Sequence, residues 1–183
     1  MTGQRVFSVR YASPLGALAL ESDGEALTAL RFDVQPDAQP SPLCPVLREA
    51  LRWLDDYFGG RLPDFTPPLR PAGTPFRAAV WERLLAIPYG ETVSYGALAR
   101  ELAAQRGMAA MSAQAVGGAV GHNPIALMIP CHRVIGADGS LTGYAAGLER
   151  KRRLLAHERA VRNHIWTPGL FSRTPWEEKA DTP

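Results

Sequence analysis

The sequence predicts an α+β protein in two parts, a small sheet with one helix followed by a mostly helical segment. Three observations carry that prediction. The first third alternates and breaks at turn residues in the manner of short strands. Residues 61–73, RLPDFTPPLRPAG, are rich in proline and divide two regions of different composition. Beyond them, apolar residues recur at helical spacing in several stretches, two of which open on a hydroxyl residue able to cap them.

Taken in order, Arg5 to Ala12 alternates loosely. Gly16 to Glu21 and Ala26 to Phe32 flank Ser22-Asp23-Gly24, a hairpin turn. QPDAQPSPL reads as a loop. From Pro45 to Phe58 the apolar residues Val46, Leu47, Ala50, Leu51, Leu54 and Phe58 share one helical face, and Gly59-Gly60 ends it. Thr74-Pro75 supplies an N-cap and an N1 proline for a helix turning Phe76, Ala79, Val80 and Leu84 inward. Ile87-Pro88-Tyr89-Gly90 stops it. Ser94 caps a helix over Tyr95 to Ala104, and a further helix covers Ser112 to Gly121, so the pair suggests a helix-turn-helix. Ile125 to Ile129 is an apolar run leading into Pro130-Cys131-His132-Arg133-Val134. A glycine-rich turn, 136–143, and a helix over Leu148 to Arg159 with Leu154 and Leu155 inward complete the body. The expected divisions are 1–70, 74–160 and a tail over 161–183 that drapes on the body or stays partly disordered.

Composition narrows the function classes. The chain has 183 residues, 46% hydrophobic and 21% charged, with a net charge of +2. That is ordinary for a globular protein and neither demands nor excludes nucleic acid. No apolar run approaches the roughly 20 residues that span a bilayer. The N-terminal MTGQRVFSVR has no signal-peptide apolar region, so the expectation is a cytoplasmic protein with no membrane partner. Lys151 and Lys179 are the only lysines; arginine suits phosphate contact, but genome composition explains its excess equally well. Cys44 and Cys131 make neither a disulfide framework nor a thiolate zinc site, so free thiols, no metal and no cofactor are expected.

A lone cysteine is usually a small buried hydrophobe, and Cys44 fits that reading. Cys131 differs because His132 and Arg133 follow it, and both can lower a thiol pKa and stabilise the nucleophilic thiolate. Adjacent side chains diverge on a regular backbone, so a water bridge is expected between Cys131 and His132 rather than direct contact. A base working through water needs an orienting partner, and His157 and Glu158 are the candidates. A second constellation is the helix MSAQAVGGAVGHN, whose residues are small and which offers only Gln114 to read base edges. Small-residue faces serve tight helix packing more often than DNA; the functional reading is a close minor-groove approach with little sequence preference.

Ile129-Pro130-Cys131-His132-Arg133-Val134 resembles the active-site signature of the O6-alkylguanine-DNA alkyltransferases. So, in order, do Thr74-Pro75-Phe76, Val80-Trp81, Ile87-Pro88-Tyr89-Gly90, Val93-Ser94-Tyr95, Ala115-Val116-Gly117-Gly118-Ala119, Asn123-Pro124, Thr142-Gly143-Tyr144 and Leu154-Leu155-Ala156-His157-Glu158. The resemblance implies a ribonuclease-H-like N-terminal domain and a winged-helix-like C-terminal domain. It implies single-turnover DNA repair, in which a base carrying an alkyl group on O6 of guanine (or O4 of thymine) is flipped from the duplex and the group passes irreversibly to Cys131. By the same resemblance His132 is the water-mediated base and Glu158 its partner. Asn123 braces the turn before the active-site segment, and Tyr95 helps rotate the nucleotide. Gln114, Ala115 and Gly117 belong to the DNA-facing helix, with Arg133 also among the substrate- and DNA-binding residues. The carbonyls of Cys131 and Val134 accept from the guanine amino group, Tyr144 lines the pocket, and the Ala145 N–H faces O6. The implied partner is double-stranded DNA, met through its minor groove by a monomer.

Three departures from the family pattern stand out. Gln114 occupies a position usually held by an arginine that fills the gap left by the flipped base. The Tyr95–Gln114 segment is longer than usual, which predicts an extended turn around Gln105-Arg106-Gly107. The Cys and His metal pattern of some members' N-terminal domains is absent. A lesion-binding protein without chemistry is the first rival reading, and Cys131 argues against it. A Cys-His hydrolase is the second, and no protease or nucleophile-elbow signature supports it.

Overall fold

Strand pairing in the N-terminal third follows from its alternation and its turns. In the computed structural model, which describes residues 6–33 and 42–167, β1 (Phe7–Ser13), β2 (Gly16–Ser22) and β3 (Leu27–Phe32) form an antiparallel sheet in that order. Leu20 pairs with Val9 on one side and Leu30 on the other. The turn after β2 is built from its own side chains. Asp23 Oδ1 accepts from the N–H groups of Glu25 and Ala26, and Ser22 Oγ donates to Ala26 O at 2.8 Å. Gly24 takes φ +100°, a conformation that side chains resist. The start of the first expected strand at Arg5 and most of the QPDAQPSPL loop lie outside the described residues.

One sheet face is covered by α1 (Pro45–Phe58), whose bounds match its apolar period. Trp53 and Tyr57 join the expected buried stripe, while Leu51 is only half-buried. The proline-rich stretch is more than a divider. Leu27 N–H donates to Pro68 O and Arg70 N–H donates to Leu27 O, both at 2.8 Å, so Leu69 bridges β3 in parallel. Proline permits this because Pro68 contributes only its carbonyl. Further along the same edge, Leu30 N–H donates to Pro124 O and Ala126 N–H donates to Leu30 O, both at 2.9 Å.

The second part contains α2 (Pro75–Leu85), β4 (Val93–Ser94), α3 (Tyr95–Gln105), α4 (Ala113–Gly121), a single 3-10 turn Cys131–Arg133, β5 (Val134–Ile135) and α5 (Leu148–Arg162). Thr74, Ser94 and Ser112 cap α2, α3 and α4, each accepting from the N–H three residues on. In α2 it is Val80, Trp81 and Leu84 that are buried, with Phe76 half-buried. The α3–α4 connection runs over 106–112; Gln105 stays helical and Gly107 turns the chain at φ +63°. The parallel β4–β5 pair, Val93 with Val134, has no local signal, because two residues are too few to show a period. In α5 the inward stripe is largely polar: Lys151, Leu154, His157 and Glu158 are buried, whereas Leu155 is half-buried.

The two parts share one continuous core, in which Leu47, Leu54 and Tyr57 of α1 belong to the same cluster as Trp81, Leu84 and Leu154. The tail begins by folding back, with Trp166 Nε1 donating to His157 Nδ1 at 3.2 Å; residues 168–183 lie outside the described residues. Among the described residues no helix is long and apolar enough to cross a membrane.

Candidate active site

The apolar run before Cys131 is buried except at Ala126, which is half-buried, and Asn123 holds its shape. The Asn123 side chain donates to Ile129 O at 2.8 Å and accepts from Ile125 N–H at 3.0 Å, closing the segment into a tight arch. Leu127 sits inside the arch at φ +67°, a strained value for leucine. The arch delivers Cys131 to the wall of a cavity of about 380 Å³. Tyr95, Gly117, Asn123, Tyr144 and Ala145 line the same cavity, so six of the residues singled out from sequence converge there.

His132 turns away from that cavity. Its Nε2 meets Glu158 Oε1 at 2.6 Å, with both side chains fully buried. The carboxylate partner assigns the ring proton to Nε2, leaving Nδ1 as the basic nitrogen. Nδ1 is buried with no hydrogen-bond partner among the described residues. Glu158 is a hub. Besides His132 it accepts from Arg133 Nε at 2.8 Å and Nη2 at 3.0 Å, from Gly90 N–H at 3.0 Å and from the Tyr57 hydroxyl at 2.9 Å. Burial alone would raise its carboxyl, but His132 and Arg133 outweigh that and hold it well below the usual carboxylate range. Of the two candidate partners for His132, the geometry takes Glu158. His157 instead meets Tyr57 O at 2.6 Å through Nε2.

Arg133 corrects two expectations. Expected among the substrate- and DNA-binding residues, it lies buried, with Nη1 donating to Ile87 O at 2.7 Å and the rest of the guanidinium on Glu158. Its charge is matched there, so it neither faces DNA nor lowers the Cys131 thiol. Burial pushes that thiol above its ordinary value, and the downward pulls come from the Asn123 side chain, the Lys151 ammonium and the backbone N–H groups of Cys131 and His132. Lys151 is fully buried, donates to Thr142 O at 2.9 Å and Gly143 O at 3.2 Å, and lies 5.8 Å from the Tyr95 ring centre. Lys151 is one of four consecutive basic residues, 150–153, a run that ordinarily marks a solvated face. Its spacing from Leu154 and Glu158, three and seven residues, was the signal that it points inward.

The remaining candidates divide. Tyr95 donates its hydroxyl to Thr142 O at 3.0 Å, joining α3 to the loop that walls the cavity. The Tyr144 hydroxyl is buried without a partner among the described residues, so it can serve a guest. Val134 is fully buried in the β4–β5 pair and is not part of the cavity wall. Gln114 and Ala115 are exposed on the first turn of α4.

The small-residue face of α4 is also resolved. Val116, Ala119 and Val120 pack inward, and Trp81 Nε1 donates to Ala119 O at 2.9 Å. Gly118 and Gly121 are exposed, and a methyl group at either would meet nothing within 4 Å. Internal packing therefore does not explain the bare half of this helix. Among the described residues no group of three or more His, Cys, Asp or Glu converges as a metal site; Cys44 is buried with its sulfur 3.7 Å from Ser22 Oγ.

Comparison with known proteins follows the same division of the chain. A family model described as the ribonuclease-like domain of 6-O-methylguanine DNA methyltransferase matches residues 8–71, and one described as its DNA binding domain matches residues 75–160. The methylated-DNA–protein-cysteine methyltransferase of Mycobacterium tuberculosis is 46% identical over 153 residues, 81% of this chain and 89% of that protein. The protein of that name from Haemophilus influenzae is 42% identical over 156 residues, 81% of this chain and 84% of its own length. The crystal structure of the Mycobacterium tuberculosis O6-methylguanine methyltransferase aligns with a TM-score of 0.73 at 45% identity, covering 85% of this chain and 94% of that one. A Mycobacterium tuberculosis structure solved in complex with DNA aligns with a TM-score of 0.71 at 44% identity, covering 85% and 93%.

Proposed function

The chain belongs to the 6-O-methylguanine DNA methyltransferase family, and from that premise we infer that it repairs DNA by moving the alkyl group of O6-alkylguanine onto Cys131. The observation that carries this reading is Cys131 on the cavity wall with a buried His132–Glu158 pair directly behind it.

The resting thiol must first be ionised. A water between Cys131 Sγ and His132 Nδ1 carries the proton to the imidazole, and Glu158 stabilises the imidazolium that results. The sulfur then attacks the alkyl carbon in line with its bond to O6. An S–C bond forms, the C–O bond breaks, and its electron pair passes to the guanine oxygen. The Ala145 N–H faces that oxygen as charge develops; the proton held on His132 then returns through the water to the guanine anion, leaving neutral guanine in the DNA strand. The product thioether has no neighbouring group that would reverse it, so each molecule acts once. O4-alkylthymine offers the same carbon–oxygen bond and is a second substrate on this mechanism.

DNA reaches the site as a duplex with the damaged base flipped out. Both an open cavity beside Cys131 and a thiol that lies off the surface support this. The exposed glycines of α4 support a close approach to the minor groove, with Gln114 filling the gap and a monomer sufficing. The deciding experiment mixes the protein with duplex DNA carrying O6-methylguanine and weighs its peptides. One methyl gained on the Cys131 peptide, with at most one turnover, is expected. Repair without modification of that peptide overturns the reading, and binding without repair favours a lesion-binding protein.

A further inference from the structure

Arg150 has no part in the chemistry above, yet its guanidinium joins three segments around the cavity. Nε donates to Leu15 O at 2.7 Å, in the β1–β2 turn. Nη1 donates to Ala146 O at 3.0 Å, in the loop that walls the cavity. Nη2 donates to Asp33 Oδ1 at 2.9 Å, and Nη1 lies 2.6 Å from Asp33 Oδ2. The guanidinium carbon also sits 4.9 Å from the centre of the Phe32 ring. Phe32 and Ala146 both line the cavity, so one side chain touches two of its wall residues, contributed by different halves of the chain.

The partner is built for this contact. Asp33 takes φ +55°, a left-handed conformation that aspartate tolerates better than most residues, and its N–H donates to Ala17 O at 3.1 Å. Its carboxylate is thereby presented to Arg150 from the end of β3. The planar fork of arginine can hold a carboxylate and two carbonyls at once, which the single ammonium of lysine cannot do in this geometry.

We propose that Arg150 is a positioning residue that fixes the width of the alkyl pocket, and so the size of the adduct the protein accepts. It holds the 144–147 loop, and with it the Ala145 N–H, at a set distance from Phe32. Released from Arg150, the loop relaxes outward. Small adducts then lose alignment with the sulfur, while bulky ones gain room. This inference rests on the alkyl-transfer reading.

The test compares single-turnover transfer to Cys131 from duplexes carrying O6-methylguanine or O6-benzylguanine at the same position. Arg150→Ala is expected to raise the benzyl-to-methyl rate ratio on the order of tenfold, since a displacement near 1 Å can cost more than that in rate. Asp33→Asn, which keeps a residue suited to the left-handed backbone while removing the exposed charge, shifts the ratio the same way by less. Arg150→Lys falls between Arg150→Ala and the unaltered protein. The double variant Arg150→Ala/Asp33→Asn shows no shift beyond Arg150→Ala alone, because the two act as one unit. A ratio unchanged in both single variants, or methyl and benzyl rates falling together, overturns the proposal. Methyl transfer by the unaltered protein is scored in the same assay; its failure would overturn the alkyl-transfer reading itself, and the pocket proposal with it.

Discussion

Tyr57 and Glu158 are 101 residues apart, yet the Tyr57 hydroxyl donates to Glu158 Oε1 at 2.9 Å with both side chains fully buried. Burial, reinforced by the Glu158 charge, pushes the phenol well above its usual range, so it remains a donor throughout the working pH range. The same residue receives His157 on its backbone carbonyl. The N-terminal half thereby touches the anion that holds His132.

Tyr57→Phe should remove one hydrogen bond to a charged acceptor while keeping the ring packed. The expected cost is about 1.5–3 kcal/mol of stability, with slower transfer to Cys131 in a protein that still folds. Urea unfolding and single-turnover rates measured on the same preparation check this. Unchanged stability would show that the Tyr57–Glu158 bond contributes nothing net.

Glu158→Gln leaves the Arg133 guanidinium buried without its anion, a loss expected to cost about 3–5 kcal/mol at neutral pH. The folded-state pKa of Glu158 is depressed, so its contribution is complete above the unfolded value near 4.5 and is lost as pH falls below it. The unfolded chain binds the extra proton in that window. The gap in urea midpoint between the unaltered protein and Glu158→Gln should therefore narrow from pH 5 towards pH 3. A gap independent of pH would contradict the assignment.

The elevated Cys131 thiol predicts slow reaction with a simple alkylating reagent at neutral pH. Its rate with iodoacetamide should still be climbing past pH 9.0, the group's ordinary value, and Lys151→Met should move the climb to higher pH. A plateau reached below pH 9 would mean that the resting site already holds a thiolate.

Local signals made much of this protein legible from sequence. The apolar period of Pro45–Phe58 and the hydroxyl caps at Thr74 and Ser94 are decided within a few residues of chain, so pattern reading finds them. The divergence of Cys131 and His132 was likewise readable, because neighbouring side chains on one backbone rarely face the same way. Arg133 was not readable with the same rules, and for Lys151 the helical spacing pointed inward while its charge pointed to solvent. A basic residue normally points to solvent, and what turns these two inward are partners at Glu158 and Thr142, reached only by the tertiary fold. The Leu69 bridge was hidden for a related reason, since proline-rich chain lacks a strand's alternation.

Gln114→Arg should bind DNA more tightly than the unaltered protein, because an exposed cation on the first turn of α4 adds a phosphate or stacking contact. If the gain is one phosphate contact, the salt dependence of binding should steepen by about 0.9 in log–log slope. Equal affinities and equal flipping rates in the two proteins would refute the role given to Gln114.

Gly118→Ala separates folding from binding. Replacing an exposed mid-helix glycine should stabilise the protein by about 0.5–1 kcal/mol, because the added methyl meets no neighbour. The same methyl should weaken affinity for duplex DNA if this face approaches the groove closely. Unfolding curves and DNA titrations moving in opposite directions are the expected pair of results.

The outer edge of β3 bears on how the protein is made. Its backbone groups are satisfied by Pro68 and Arg70 at one end and by Pro124 and Ala126 at the other. While a ribosome has delivered only the first hundred residues, the Leu30 end of that edge is bare, and a bare edge recruits other strands. Truncated or stalled chains ending before residue 124 should therefore cluster with one another, whereas the longer chain covers the hazard with the segment that leads to Cys131.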